Sequence, residues 1–75
     1  MQVSILSPRE RVWQGRVSDL ILPTEDGEMC VLDFHQPFLV RLTKGEIRFG
    51  GVRTISVKDG LAHMQGNELT ILIEG

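Results

Sequence analysis

Seventy-five residues make one domain, 1–75, and leave no room for a second. Eight Lys and Arg against ten Asp and Glu give a formal charge of −2, which argues against nonspecific nucleic-acid binding, since that needs a basic surface to displace counterions from phosphate. A single cysteine cannot close an intrachain disulfide, no Cys/His spacing marks a zinc site, and no apolar run reaches the roughly 20 residues that span a bilayer.

Along the chain the dominant apolar period is two, not 3.6. Val3 and Ile5 alternate with Gln2 and Ser4, and Pro8 breaks the run. From Val12 to Leu22 two strand-like pieces meet at Gly15, which reads as a bulge or corner. The acidic turn Glu25-Asp26-Gly27-Glu28 leads into Met29–Leu32, a continuously apolar run that suits a strand covered on both faces. The connection Asp33-Phe34-His35-Gln36-Pro37 follows. Gly permits positive φ, while Pro locks φ at about −65° and removes a donor, so the two connections read as contact loops held at one end of a rigid β scaffold.

Phe38, Val40 and Leu42 then share one face, with Leu39 and Arg41 on the other. Thr43-Lys44-Gly45 turns the chain into Glu46-Ile47-Arg48-Phe49, and Gly50-Gly51 has the form of a two-residue hairpin turn before a return strand Val52–Val57. Leu61–Met64 and Glu68–Glu74 make a last pair around Gln65-Gly66-Asn67. No window of helical length carries an apolar stripe with caps. The reading is all-β: seven to ten short strands forming a sandwich or a flattened barrel. Its expected core is Val3, Ile5, Val17, Leu20, Leu22, Val31, Phe38, Val40, Leu42, Ile47, Phe49, Ile55, Val57, Leu61, Leu69, Ile71 and Ile73.

The chemical candidates are weak. Asp33 could orient His35 as a base, but a solvated loop is the better reading of that pair. Cys30 sits in an apolar run, where a thiol is ordinarily a small buried hydrophobe. A metal site would need His35, His63 and carboxylates to converge, and His63 reads instead as an ordinary strand histidine; Gly50-Gly51 lacks the lysine and helix of a phosphate cradle. Arg9, Arg11 and Arg16 form a small basic cluster on an acidic chain, a solvated face or a rim contact. Trp13 reads as core or edge packing, with an interface anchor as the functional alternative. These residues give no catalytic site, no metal site and no cofactor; they describe a β domain that binds something.

Leu6-Ser7-Pro8 followed by Val12-Trp13-Gln14-Gly15-Arg16-Val17 resembles the opening of the epsilon subunit of F-type rotary ATP synthases. Gly27-Glu28-Met29-Cys30-Val31-Leu32, His35-Gln36-Pro37-Phe38, Leu42-Thr43-Lys44-Gly45-Glu46-Ile47 and Asn67-Glu68-Leu69-Thr70-Ile71-Leu72 resemble further elements of that family, in order. Cys30, Asp33 and Lys58-Asp59-Gly60 depart from its usual residues. The resemblance implies a non-catalytic rotor-stalk domain, an all-β flattened β-sandwich/barrel of about ten short strands in two sheets, that links the gamma subunit to the membrane c-ring, coupling proton or sodium transport to ATP synthesis. It implies partner contacts at Ser7, Gly27, Glu28, His35 and Gly45, no nucleic acid, no direct membrane insertion, and a peripheral place on the cytoplasmic face of the bacterial inner membrane. Most members of that family continue into an inhibitory helical hairpin, and its absence is the expectation for this sequence. The alternatives are a free-standing β-sandwich that binds a ligand or protein, and a small hydrolase using Asp33 and His35.

Overall fold

In the computed structural model, which describes residues 1–74, nine strands follow one another: β1 (Gln2–Leu6), β2 (Arg11–Arg16), β3 (Asp19–Thr24), β4 (Gly27–Leu32), β5 (Phe38–Leu42), β6 (Gly45–Phe49), β7 (Arg53–Val57), β8 (Asp59–Gln65) and β9 (Glu68–Glu74). Their hydrogen-bonded order is β2-β1-β9-β8-β5-β3-β6-β7, with β4 on the other edge of β3. Among the described residues only β1 and β9 pair in parallel. Strands β5 and β3 share a single bridge, Thr24 to Leu42. The sheet curls there into two layers, β2-β1-β9-β8-β5 facing β4-β3-β6-β7. The expected all-β sandwich is therefore present as a half-barrel, its layers joined at one point rather than separate.

The alternation of the sequence builds the interior between those layers. Val3 lies opposite Leu69 and Ile5 opposite Ile71 across β1–β9, while Met64 and Ala62 face the same two residues from β8. Leu20, Leu22, Val31, Ile47, Phe49 and Val57 close the core from the second layer, and no polar or charged residue is buried among the described residues.

Several expectations are corrected by register. In β8, Leu61 is exposed while Ala62 and Met64 are fully buried, because Gly60 pairs with both Leu42 and Ile73 and sets the even residues inward. Val17, Phe38, Val40 and Ile55 are half-buried and pack against the core from its margin, and Met1 joins the buried set. Strand β4 is covered on one face only: Val31 is buried, but Cys30 and Leu32 face outward. Cys30 is thus no core thiol.

Two turns also differ. Phe49 pairs with Arg53, so the β6–β7 hairpin has the three-residue loop Gly50-Gly51-Val52, with φ of 63° and 80° at the glycines and Val52 at its exposed tip. Gly15 lies in regular pairing with Val3, and a Cβ there would stand 2.8 Å from the Trp13 ring. The irregularity of β2 falls instead at Val12, where the ladder passes from Ile5–Trp13 to Leu6–Arg11 and leaves Val12 as the extra residue.

Candidate functional site

The turn between β3 and β4 is built by its own side chains. The Thr24 hydroxyl donates to the Gly27 carbonyl at 2.7 Å and accepts from the Asp26 N–H at 3.3 Å. Gly27 completes the turn at φ 107°. Just beyond it, Glu28 reaches across β3 to an ion pair with Arg48 of β6 on the outer face. Gly45 lies alongside: a Cβ on it would be 2.8 Å from the Pro23 Cβ, and the neighbouring Thr43 N–H donates to the Pro23 carbonyl at 2.9 Å. Gly27, Glu28 and Gly45 therefore border one groove, together with Lys44.

Ser7 belongs to the same end of the sandwich, because β1 ends beside the end of β9, as the Leu6–Leu72 pairing shows. The Ser7 N–H donates to the Glu10 carbonyl at 2.9 Å, and its hydroxyl accepts from the Glu10 N–H at 3.3 Å. Ser7 also borders a groove lined by Leu6, Pro8, Leu61, Leu72 and the pair Arg41–Asp59. In that pair Nε donates to Oδ1 at 3.3 Å and Nη2 to Oδ2 at 3.2 Å. The guanidinium, helped by the Gly60 N–H, holds the Asp59 carboxyl below its ordinary range, and Asp59 raises Arg41 in return.

His35 lies elsewhere. Strand β4 carries the chain away from the acidic turn, and six residues of strand put about 17 Å between the Glu25–Glu28 turn and the Asp33–Pro37 connection. The two connections sit at opposite ends of the scaffold, which corrects the expectation that they share one. The His35 N–H donates to the Leu32 carbonyl at 3.1 Å, its ring meets Phe38 edge-on at 5.2 Å, and its Nδ1 lies 3.0 Å from the Gln36 carbonyl. Asp33 is engaged by the α-ammonium of Met1. The carboxylate and the imidazole are thus occupied separately, and the Asp33/His35 pair has no dyad geometry.

The sequence reading missed a feature of the outer face of the first layer. Leu6, Leu72 and Leu61 lie directly opposite one another across β1, β9 and β8, while β5 meets Leu61 with Arg41 and sets Leu39 diagonally, opposite His63. Leu39, Leu61 and Leu72 are 67 %, 46 % and 49 % exposed. A contiguous apolar stripe of this kind marks an interaction surface rather than scattered surface hydrophobes. The signal was present in β9, where Leu69, Ile71 and Ile73 fill the inward parity and leave Leu72 facing out.

Comparison with known proteins agrees with this geometry. A family model described as ATP synthase, Delta/Epsilon chain, beta-sandwich domain matches residues 1–75. An ATP synthase epsilon chain, chloroplastic, of Chlamydomonas reinhardtii is 37 % identical over 96 % of this chain and 57 % of its own length. An ATP synthase epsilon chain of Thermosynechococcus vestitus is 33 % identical over all of this chain and 56 % of its own. The chain thus spans little more than half the length of these relatives. Among solved structures, a chain of the Tetrahymena thermophila mitochondrial ATP synthase central stalk and c-ring superposes with a TM-score of 0.82 at 17 % identity, covering 99 % of this chain and 63 % of that one, a likeness of fold.

Proposed function

This chain belongs to the ATP synthase delta/epsilon chain family, as its β-sandwich domain, and from that premise we propose that it is a non-catalytic part of the rotor's central stalk. It joins the gamma subunit to the membrane c-ring, so that ion flow through the ring turns the stalk and drives ATP synthesis at other subunits. Its place is peripheral, on the membrane side that carries the catalytic head; the cytoplasmic face of a bacterial inner membrane is one such setting. The observation that carries this reading is the leucine stripe Leu61–Leu72–Leu6, an apolar surface that gains stability when a partner covers it.

The ends of the sandwich divide the remaining contacts. Ser7, Gly27, Glu28 and Gly45 share one end, which we assign to the polar loops of the c-ring. His35 lies at the other end and is assigned to gamma, because the body measures 28 × 27 × 23 Å and one narrow loop cannot touch both ends. The groove beside Ser7 is lined by Leu6, Pro8, Leu61, Leu72 and Ile73, without an aromatic ring, which does not favour a free-standing carbohydrate-binding module.

Co-purification tests the reading. The chain should form a stable complex with purified gamma subunit, and Leu61→Asp with Leu72→Asp should abolish it while leaving the circular dichroism of the fold unchanged. Failure of the unmodified chain to bind either gamma or the c-ring under native conditions would overturn it.

A further inference from the structure

Among the described residues two that are not glycine have positive φ, Phe34 at 62° and Asn67 at 59°, and one hydrogen bond joins them. The Phe34 N–H donates to the Asn67 side-chain oxygen at 2.7 Å, across 33 positions of sequence. The two residues suit that backbone unequally. Asn tolerates the left-handed region and, with Gly66 at φ 59°, makes the two-residue turn that the Gln65–Glu68 pairing closes. Phe does not. The bond from the His35 N–H to the Leu32 carbonyl makes Phe34 the third residue of a four-residue turn, where positive φ ordinarily selects glycine.

The chain around Phe34 is held from several places at once. The Asp33 N–H donates to the Ser18 carbonyl and the His35 N–H to the Leu32 carbonyl, both at 3.1 Å, while the Asp33 carboxylate engages the Met1 α-ammonium. Asn67 is itself anchored, since its carbonyl accepts from the Gln2 N–H at 3.1 Å. Yet the Phe34 side chain is turned out to solvent, and with Val52 it is one of the two most exposed large hydrophobic residues described. Both stand at the same end. Strand β4 leaves the sheet at Leu32, opposite Asp19, and β6 leaves at Phe49, opposite Leu20, two strand spacings or about 10 Å apart.

We propose that Phe34 is an anchor residue for the gamma subunit and that Asn67 is the positioning residue that displays it. An aromatic ring held out from a fixed loop, in a backbone posture that disfavours it, has the form of a preorganised contact, because its ordering cost is met before the partner arrives. The occupant is gamma because the c-ring takes the opposite end, with Gly27, Glu28 and Gly45. A fluid bilayer would accept an aromatic side chain in any backbone posture, whereas a shaped protein cleft needs it fixed. This inference rests on the rotor-stalk reading and gives the gamma-facing end an exposed contact beside His35, which is half-buried against Phe38.

The test compares Phe34→Gly, Asn67→Gly and Asn67→Asp in the whole chain. Gly at position 67 keeps the turn and loses the acceptor; Asp keeps an acceptor. Binding is titrated against purified gamma, purified c-ring and phosphatidylglycerol vesicles, and hydrogen exchange of the residue-34 amide is followed in the free chain. Phe34→Gly should weaken gamma binding about tenfold or more with no fall in the urea midpoint and no change toward the ring. Asn67→Gly should lose about tenfold or more in protection of that amide and weaken gamma binding several-fold, while Asn67→Asp stays near the unmodified chain in both. Unchanged affinity of Phe34→Gly for gamma overturns the anchor and leaves the rotor-stalk reading standing. Lost protection in Asn67→Gly without lost affinity overturns the positioning role. Binding of the unmodified chain to the ring alone, or Phe34-dependent binding to vesicles alone, overturns the choice of gamma. If the unmodified chain binds neither subunit, this inference and the rotor-stalk reading both fall.

Discussion

Phe34 is one of two non-glycine residues in the left-handed region among the described residues, at φ 62°, and it is 81 % exposed. A β-carbon there crowds the backbone and costs of order 1–2 kcal/mol, which nothing in the ring's surroundings offsets. The conformation is held from outside: the Asn67 side-chain oxygen accepts from the Phe34 N–H at 2.7 Å, tying the β4–β5 connection to the β8–β9 turn. Glycine would keep that N–H and remove the crowding. Phe34→Gly should therefore be stabilising by up to about 1 kcal/mol, read as a rise in the urea midpoint at unchanged m-value. A fall in the midpoint would mean that the exposed ring contributes packing the structure does not show. Gly45 is the opposite case, a glycine fixed by the approach of Pro23 rather than by φ, so its presence in the family pattern has a packing reason beside any contact with a partner.

At the scale of an element, β8 shows how register settles what alternation leaves open. Leu61-Ala62-His63-Met64 offers an apolar residue on both parities, and its larger branched side chain points to solvent. The ladders to β5 and β9 decide: Val40 and Ile71 flank Ala62, and Phe38 and Leu69 flank Met64. Truncating the two positions should give unequal results. Met64→Ala leaves a cavity in the core and should cost about 2–5 kcal/mol, while Leu61→Ala removes half-exposed surface and should cost under about 1 kcal/mol. Equal losses in chemical denaturation would mean that β8 faces the other way. The same substitution at Leu61 bears on function, because it removes part of the leucine stripe at little cost to the fold.

At the scale of the whole molecule, the half-barrel has one hydrogen-bonded corner, where β3 bridges β5, and one seam, between β2 and β7, closed by side chains. Trp13 makes that closure. Its ring lies over Gly15, where any β-carbon would collide with it, and against Phe49 of the facing layer. Trp13→Ala would open the seam and should cost about 3 kcal/mol. A small single-core domain has roughly 3–5 kcal/mol in all, so the variant should sit near its unfolding midpoint in plain buffer and recover on binding gamma. A Trp13→Ala chain that unfolds at the unmodified urea concentration would show that the layers hold together without it.

What the sequence determined by itself was local and periodic. Alternation of Val, Ile and Leu with polar residues decided the β class, and Leu69, Ile71 and Ile73 declared their shared face, because period two is written in the chain without reference to any partner strand. The ordered family motifs were legible for the same reason, being contiguous runs of residues. Only the tertiary structure decided the rest. Cys30 and Leu32 belong to the outer face because β4 is an edge strand with one covered side, which no run of apolar letters reveals. His35 and Glu28, seven positions apart and matched to one family's contact loops, were separated to opposite ends by the length of a strand. The leucine stripe draws its residues from three separate strands, and proximity of that kind is fixed by strand order and register, which the chain acquires only on folding.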